Sequence, residues 1–132
     1  MKGSPLRKGS LERLAGGGIP PENIYFDPLV LSVAVEPETG LVTLETIRAI
    51  RSHFPSSHLI CGVSNVSMGL PGRRLINRIF LIMAMAAGLD TLFIDVRDQA
   101  LMSSISASKI LINQDPYCLE YIQAYREKKI LF

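Results

Sequence analysis

Ile60-Cys61-Gly62-Val63-Ser64-Asn65-Val66-Ser67-Met68-Gly69-Leu70-Pro71-Gly72-Arg73-Arg74 is the stretch that decides the fold. An apolar run ends at Gly62-Val63-Ser64-Asn65. A loop containing Gly69, Pro71 and Gly72 follows, and then two arginines open a long apolar helix. A short apolar run bounded by turns and leading into a helical pattern reads as one strand-to-helix unit.

The same unit recurs on both sides. Upstream, Ile24-Tyr25-Phe26 is a β-branched and aromatic run ending at Asp27-Pro28, and Leu29 to Val35 continues apolar. Pro28 cannot donate to a ladder, so the regular strand should end near Asp27. A helix is expected from about Val42 to His53, with Leu44, Ile47, Ala49 and Ile50 on its buried side. His58 to Val63 is the second strand. Arg73 to Ala87 is the next helix, with Gly88 at a C-cap position. Thr91 to Ile94 is the third strand, ending at Asp95. Helices are then expected over Gln99 to Ile112 and Pro116 to Lys128, with Pro116 suited to a first helical turn. At the amino end, Met1 to Ser10 reads as a frayed start. Leu11, Leu14 and Ala15 have helical spacing that Gly16-Gly17-Gly18 would stop.

The pattern is βα repeated three times, which predicts an α/β fold with parallel strands, since each return passes through a helix. Asp27, Asn65 and Asp95 fall at the carboxyl ends of successive strands, 38 and 30 positions apart. A βαβ unit takes about 30 residues or more, so the spacing fits one unit each. Parallel α/β folds place ligands at this rim. An aspartate at a strand end also serves as a helix N-cap or turn former. That alternative stays open for Asp95, because Asp98 and Gln99 begin a helix nearby, and is weaker for Asp27, which caps no immediate helix.

Composition narrows the function classes. With 132 residues, 48% hydrophobic and 20% charged, the chain supports one domain with a modest core. Its 14 basic and 12 acidic residues leave a net charge of +2, too balanced to argue for nucleic acid. The local basic excesses, Lys2, Arg7 and Lys8 at one end and Arg126, Lys128 and Lys129 at the other, read as solvated termini. Ile79 to Leu89 is the most apolar run, far short of the roughly 20 residues of a membrane span. Residues 1 to 18 lack the apolar segment of a signal peptide. Cys61 and Cys118 lie too far apart for metal-ligand spacing and read as buried free thiols in a reducing cytoplasm. His53 and His58 flank a loop away from the strand ends, and no metal is assigned. Met68, Met83 and Met85 read as core.

At Asn65 the residues resemble a known family. Gly62-Val63-Ser64-Asn65-Val66-Ser67-Met68-Gly69-Leu70-Pro71-Gly72-Arg73 is similar to the signature segment of the pterin-binding methyltransferases that use methyltetrahydrofolate and a corrinoid protein. The similarity continues through Leu75-Ile76-Asn77-Arg78 and Met83 to Asp90. Upstream it includes Ile24-Tyr25-Phe26-Asp27-Pro28, and downstream Asp115-Pro116-Tyr117-Cys118 to Tyr125-Arg126. It covers about residues 11 to 129, and a twelve-residue segment between two matching strands is far more specific than a lone Gly-rich motif.

The resemblance implies a partial (β/α)8 barrel of the dihydropteroate-synthase type, a single domain over 1 to 132 holding strands six to eight. A full barrel takes about 250 residues. It implies transfer of the N5 methyl of methyltetrahydrofolate to cobalt(I) of a corrinoid protein. By the same resemblance Asn65 reaches the N5 region and Asp27 accepts hydrogen bonds from the pterin ring. Gly62 would let the flat ring approach the backbone. Ser64 and Ser67 either orient Asn65 or simply form the turn. Arg73 and Arg74 oppose the helix dipole, and are either contacts for an anionic partner group or an exposed surface pair. Asp95 matches a family aspartate, but the family's Asp-Pro-Leu-Asp reads Asp95-Val96-Arg97-Asp98 here. Gly72 stands where asparagine is more usual. The lysine and late arginine of dihydropteroate synthase have no counterpart, which argues against that enzyme. Because earlier strands carry the rest of the family's pterin site, the alternative is a non-catalytic half-barrel that dimerises or complements a separate amino-terminal half.

Overall fold

The computed structural model describes residues 17–132. The frayed start and the helical spacing of Leu11 to Ala15 lie outside the described residues. The chain divides into two compact units, one reaching Phe93 and the other Ile94–Phe132.

The first unit holds a three-stranded parallel sheet in the order β1, β2, β3: Tyr25–Phe26, His58–Cys61 and Thr91–Leu92. Tyr25 pairs with His58 and Phe26 with Leu59. Ile60 pairs with Thr91 and Cys61 with Leu92. The strands are shorter than expected. β1 stops at Phe26 as Pro28 requires, and β2 stops at Cys61 because Val63–Ser67 winds into a 3₁₀ turn. Leu29 to Val35 forms no strand. It is an irregular segment held by side chains and loops: Thr43 Oγ1 donates to the Leu29 carbonyl at 3.3 Å, and the Val33 N–H to the Val66 carbonyl at 3.1 Å.

Two helices of this unit cover the sheet. Helix α1, Thr39–His53, starts three residues earlier than the apolar period suggests. It buries Leu44, Ile47 and Ile50 together with Thr39, Thr43 and Thr46, while Ala49 is only half-buried. The threonines extend the buried face because they bond locally, as Thr46 Oγ1 does to the Val42 carbonyl at 2.7 Å. Helix α2, Arg73–Ala87, has the expected bounds and buries Phe80, Leu81, Ala84 and Met85. With Leu59, Cys61, Val66 and Leu89 these residues make the core. Met85 is core, but Met68 and Met83 are exposed, which corrects their assignment. Gly88 ends α2 at φ +129°, and Arg51 of α1 closes over it with Nε and Nη2 at 3.1 and 2.8 Å from the Gly88 carbonyl.

In the second unit, helix α3 spans Gln99–Leu111, with Asp98 as its N-cap accepting from the Leu101 N–H at 3.1 Å. The helix expected over Pro116 to Lys128 is broken. Pro116–Cys118 is a 3₁₀ turn, Tyr117 and Cys118 both sit at φ +60°, and helix α4 is Leu119–Arg126. The cause is Asp115, buried at 5% exposure. Its carboxylate accepts the N–H groups of Glu120 and Tyr121 at 3.0 and 2.9 Å and so caps α4 from outside it. Cys118 is therefore half-exposed in that turn, whereas Cys61 is buried in β2.

Among the described residues no helix is long and apolar enough to cross a membrane, and no group of three or more His, Cys, Asp or Glu side chains could hold a metal ion.

Candidate functional site

Parallel pairing of β1 with β2 puts the ends of both strands at one rim. Asp27 leaves β1 there, and Gly62 and Asn65 leave β2. Together with Pro28, Leu29 and Val30 they line a pocket of about 280 Å³. This is just below the roughly 300–1,000 Å³ typical of ligand pockets. Asp27 and Asn65 are exposed, so neither pays a burial cost while it waits for a partner. A side chain at Gly62 would meet nothing within 4 Å, and its φ of −82° suits any residue. Its value to the site is therefore the open space a missing Cβ leaves.

The polar character of the rim is felt below it. Burial pushes the Cys61 thiol up from 9.0 to about 11, and the Asp27 charge adds to this. A raised pKa and burial keep such a thiol in its neutral form near neutral pH.

Asn65 sits in the middle of the Val63–Ser67 turn, and the residues behind it are tightly engaged. Ser67 is fully buried, at 0% exposure. Its hydroxyl oxygen lies 2.6 Å from Asn77 Oδ1 and accepts from Arg73 Nε at 3.0 Å; the Ser64 carbonyl lies 3.2 Å away. Arg73 Nη2 donates to the Ser64 carbonyl at 2.8 Å. Ser67 thus does far more than form a turn, and Ser64 contributes its carbonyl. The guanidinium of Arg73 turns back onto the loop. Arg74 is exposed. Ser32 Oγ donates to the Met68 carbonyl at 2.6 Å, joining the loop after β1 to the loop after β2. Sequence reasoning missed Ser32 and Asn77 as parts of this site. The (i, i+4) spacing of Arg73 and Asn77 on α2 was the available signal.

Asp95 belongs to the second unit. Its Oδ1 accepts from the Arg97 N–H and Nε at 3.0 Å each, and its Oδ2 from Arg97 Nη2 at 3.2 Å. Asp98, not Asp95, is the helix cap. The expectation of an anion or partner contact at Asp95 gains no support from this local pairing.

The model of the pterin-binding enzymes matches residues 6–95, a range that contains β1, β2, β3 and every residue of the pocket. The chain belongs to the pterin-binding enzyme family. Among its relatives is the methylcorrinoid:tetrahydrofolate methyltransferase of Eubacterium limosum. It is 33% identical over 125 residues, covering 95% of this chain and 46% of the relative. The methionine synthase of Mycobacterium tuberculosis is 32% identical over 80 residues, 56% of this chain and 7% of that protein. That of Mycobacterium leprae is 31% identical over 106 residues, 75% of this chain and 8% of that protein. The chain spans less than half the length of the relatives it matches. These matches bear out the resemblance to the corrinoid-linked methyltransferases and their pterin-binding domain.

Proposed function

We propose that this chain supplies the Asp27–Gly62–Asn65 part of a site that binds methyltetrahydrofolate and moves its N5 methyl group to or from the corrinoid of a partner protein. The observation that carries the reading is the one pocket lined by all three residues at the sheet rim, inside the family match. The names of two kinds of relative, one acting between methylcorrinoid and tetrahydrofolate, point to the same chemistry.

The Asp27 carboxylate offers two acceptor oxygens to neighbouring N–H donors on the pterin ring, and its charge strengthens both bonds. Gly62 leaves room for the ring face. Asn65 donates from its amide toward N5, where the amine must shed or gain a methyl group. An amide does not titrate, so it stabilises the changing charge on the pterin over a wide pH range. In transfer to the corrinoid, cobalt(I) of the partner would be the nucleophile and N5 the leaving group, and in transfer from it N5 would attack and cobalt(I) would leave, so no side chain of this chain needs either role. A site complementary to the transition state serves both directions of transfer.

In this reading the three strands are strands six to eight of the (β/α)8 barrel, and the protein works in the cytoplasm beside its corrinoid partner. Strands β1 and β3 each have a neighbour on one side only among the described residues. Edges of that kind call for a partner strand, which supports completion by an amino-terminal half; homodimerisation is the family's further possibility. The second reading is a non-catalytic half-barrel.

Co-expression with a segment carrying strands one to five separates the two. The methyltransferase reading expects methyl transfer from the pair and its loss in Asn65→Ala. No transfer from a well-folded pair, or equal transfer in that variant, removes it. The chain alone is expected to bind methyltetrahydrofolate weakly or not at all, and micromolar binding in a calorimetric titration would overturn that expectation.

A further inference from the structure

Arg73 opens α2 without any side-chain cap on that helix, since its N-cap is Gly72 at φ +65°. A cation at this position opposes the helix dipole. Its guanidinium turns instead to the preceding loop, with Nε on the buried Ser67 hydroxyl at 3.0 Å and Nη2 on the Ser64 carbonyl at 2.8 Å. These two acceptors flank Asn65 in sequence. One planar group therefore spans the turn that carries it. Asn77, one helical turn further along α2, receives the Ser67 proton at 2.6 Å, leaving the Ser67 lone pairs to Arg73. A hydroxyl has one proton to give, so Asn77 sets the direction in which Ser67 accepts.

We infer that Arg73 and Asn77 are positioning residues: through Ser67 and Ser64 they hold the Val63–Ser67 turn rigid and fix where Asn65 projects into the pocket. The significance of this clamp for methyl transfer rests on the proposed function, whereas the clamp itself does not. The planar fork is what a lysine lacks, because a single ammonium is a point charge without the pre-organised double donor. Preorganising a polar group before the substrate arrives is how an enzyme gains from a hydrogen bond in the transition state.

Amide hydrogen exchange on the 132-residue chain tests the clamp without any ligand. The Met68 N–H bonds to the Asn65 carbonyl at 3.1 Å and the Leu70 N–H to the Ser67 carbonyl at 3.0 Å. Arg73→Met and Asn77→Leu should each speed exchange at Met68 and Leu70 at least about tenfold. Gly88 and Leu89, whose N–H groups bond to the Ala84 carbonyl at the other end of α2, should change less than about twofold. Asn77→Asp keeps an acceptor for Ser67 and should restore slow exchange, and Arg73→Lys should restore it only in part. Equal acceleration at both ends of α2, or none at Met68 and Leu70, overturns the inference.

A double-mutant cycle in the completed barrel tests the catalytic consequence. If Arg73 acts through Asn65, Arg73→Met slows transfer in the parent but adds less than about twofold to the loss in Asn65→Ala. Additive losses sink the positioning role. An Asn65→Ala variant with undiminished transfer sinks the methyl-transfer reading instead, and the exchange data then decide the clamp by themselves.

Discussion

His58 Nδ1 lies 2.7 Å from Asp90 Oδ2, at the end of the sheet opposite Asp27 and Asn65. The other oxygen of Asp90 accepts the N–H of the buried Leu59 at 2.7 Å, Arg51 stands 3.5 Å away, and Tyr25 stacks on His58. One carboxylate thus joins the start of β2, the end of the loop before β3 and helix α1. The rim that carries Asp27 and Asn65 lies at the other end of the sheet.

Acid should weaken the fold through Asp90. Burial pushes its pKa up, but the Leu59 amide, His58 and Arg51 outweigh burial and hold it below the ordinary 3.8. A depressed folded-state value means the stabilisation is complete above the unfolded value and lost as pH falls through the folded one. In urea denaturation, Asp90→Asn should be less stable than the parent near about pH 6, and the gap should close toward about pH 3. A gap that is constant with pH would remove the charge from the account. Asp90→Ala, which strands the buried Leu59 N–H, should cost about 1–3 kcal/mol.

Gly88→Ala should be more damaging than its exposure suggests. The backbone there is at φ +129°, and a Cβ would sit 2.9 Å from Arg51 Cβ and 3.0 Å from Arg51 Cγ. Arg51 would have to move from the Gly88, Pro55 and Ser57 carbonyls it now holds. Strain at such a position costs about 1–3 kcal/mol before the lost hydrogen bonds are added. Chemical denaturation should show a loss of at least that size, and a near-neutral result would contradict the observed backbone at Gly88.

The two cysteines should part company under a thiol reagent. Cys61 is 1% exposed with its pKa pushed up to about 11, whereas Cys118 is half-exposed. One thiol should react under native conditions near neutral pH, with Cys61 following only as the chain opens. Because the folded-state value is raised, the unfolded chain ionises first, and stability from this group falls as pH rises above about 9. Mass mapping of the first label onto Cys61 would refute the assignment.

Asp27 and Asn65 should fail in different ways when the barrel is complete. On the proposed function, Asp27→Ala removes a carboxylate that accepts from the pterin ring before and during reaction, so pterin affinity should fall by about 10- to 100-fold. On the same reading, Asn65→Ala removes a donor that matters most as charge shifts at N5. The transfer rate should fall by about 10²–10³-fold with a smaller change in affinity. Binding titration beside single-turnover transfer separates the two effects, and an identical pattern in both variants would merge their roles.

Much of the first unit was legible along the chain. The bounds of α2 followed from an apolar period closed by Gly88, and β1 ended where Pro28 withdrew a donor. Asp27 and Asn65 were visible as polar residues at strand ends. The second unit was less legible. Asp115 caps a helix that starts four residues after it, and no local pattern announces that Tyr117 and Cys118 will take left-handed backbone. At the site, Arg73 had two readings in sequence, a ligand contact or a surface pair, and the structure adds its bonds to Ser67 and Ser64, which no local pattern announces.

Sequence alone determined the order of strands and helices, the rim to which Asp27, Gly62 and Asn65 belong and the family. These follow from side-chain periodicity, turn chemistry and a long motif, all of which are local along the chain. Only the tertiary structure decided that Arg73, Ser67 and Asn77 form one clamp behind Asn65 and that Asp90 ties the far end of the sheet. A hydrogen bond depends on distances of about 3 Å between groups from separate elements. Such distances exist only once those elements have packed.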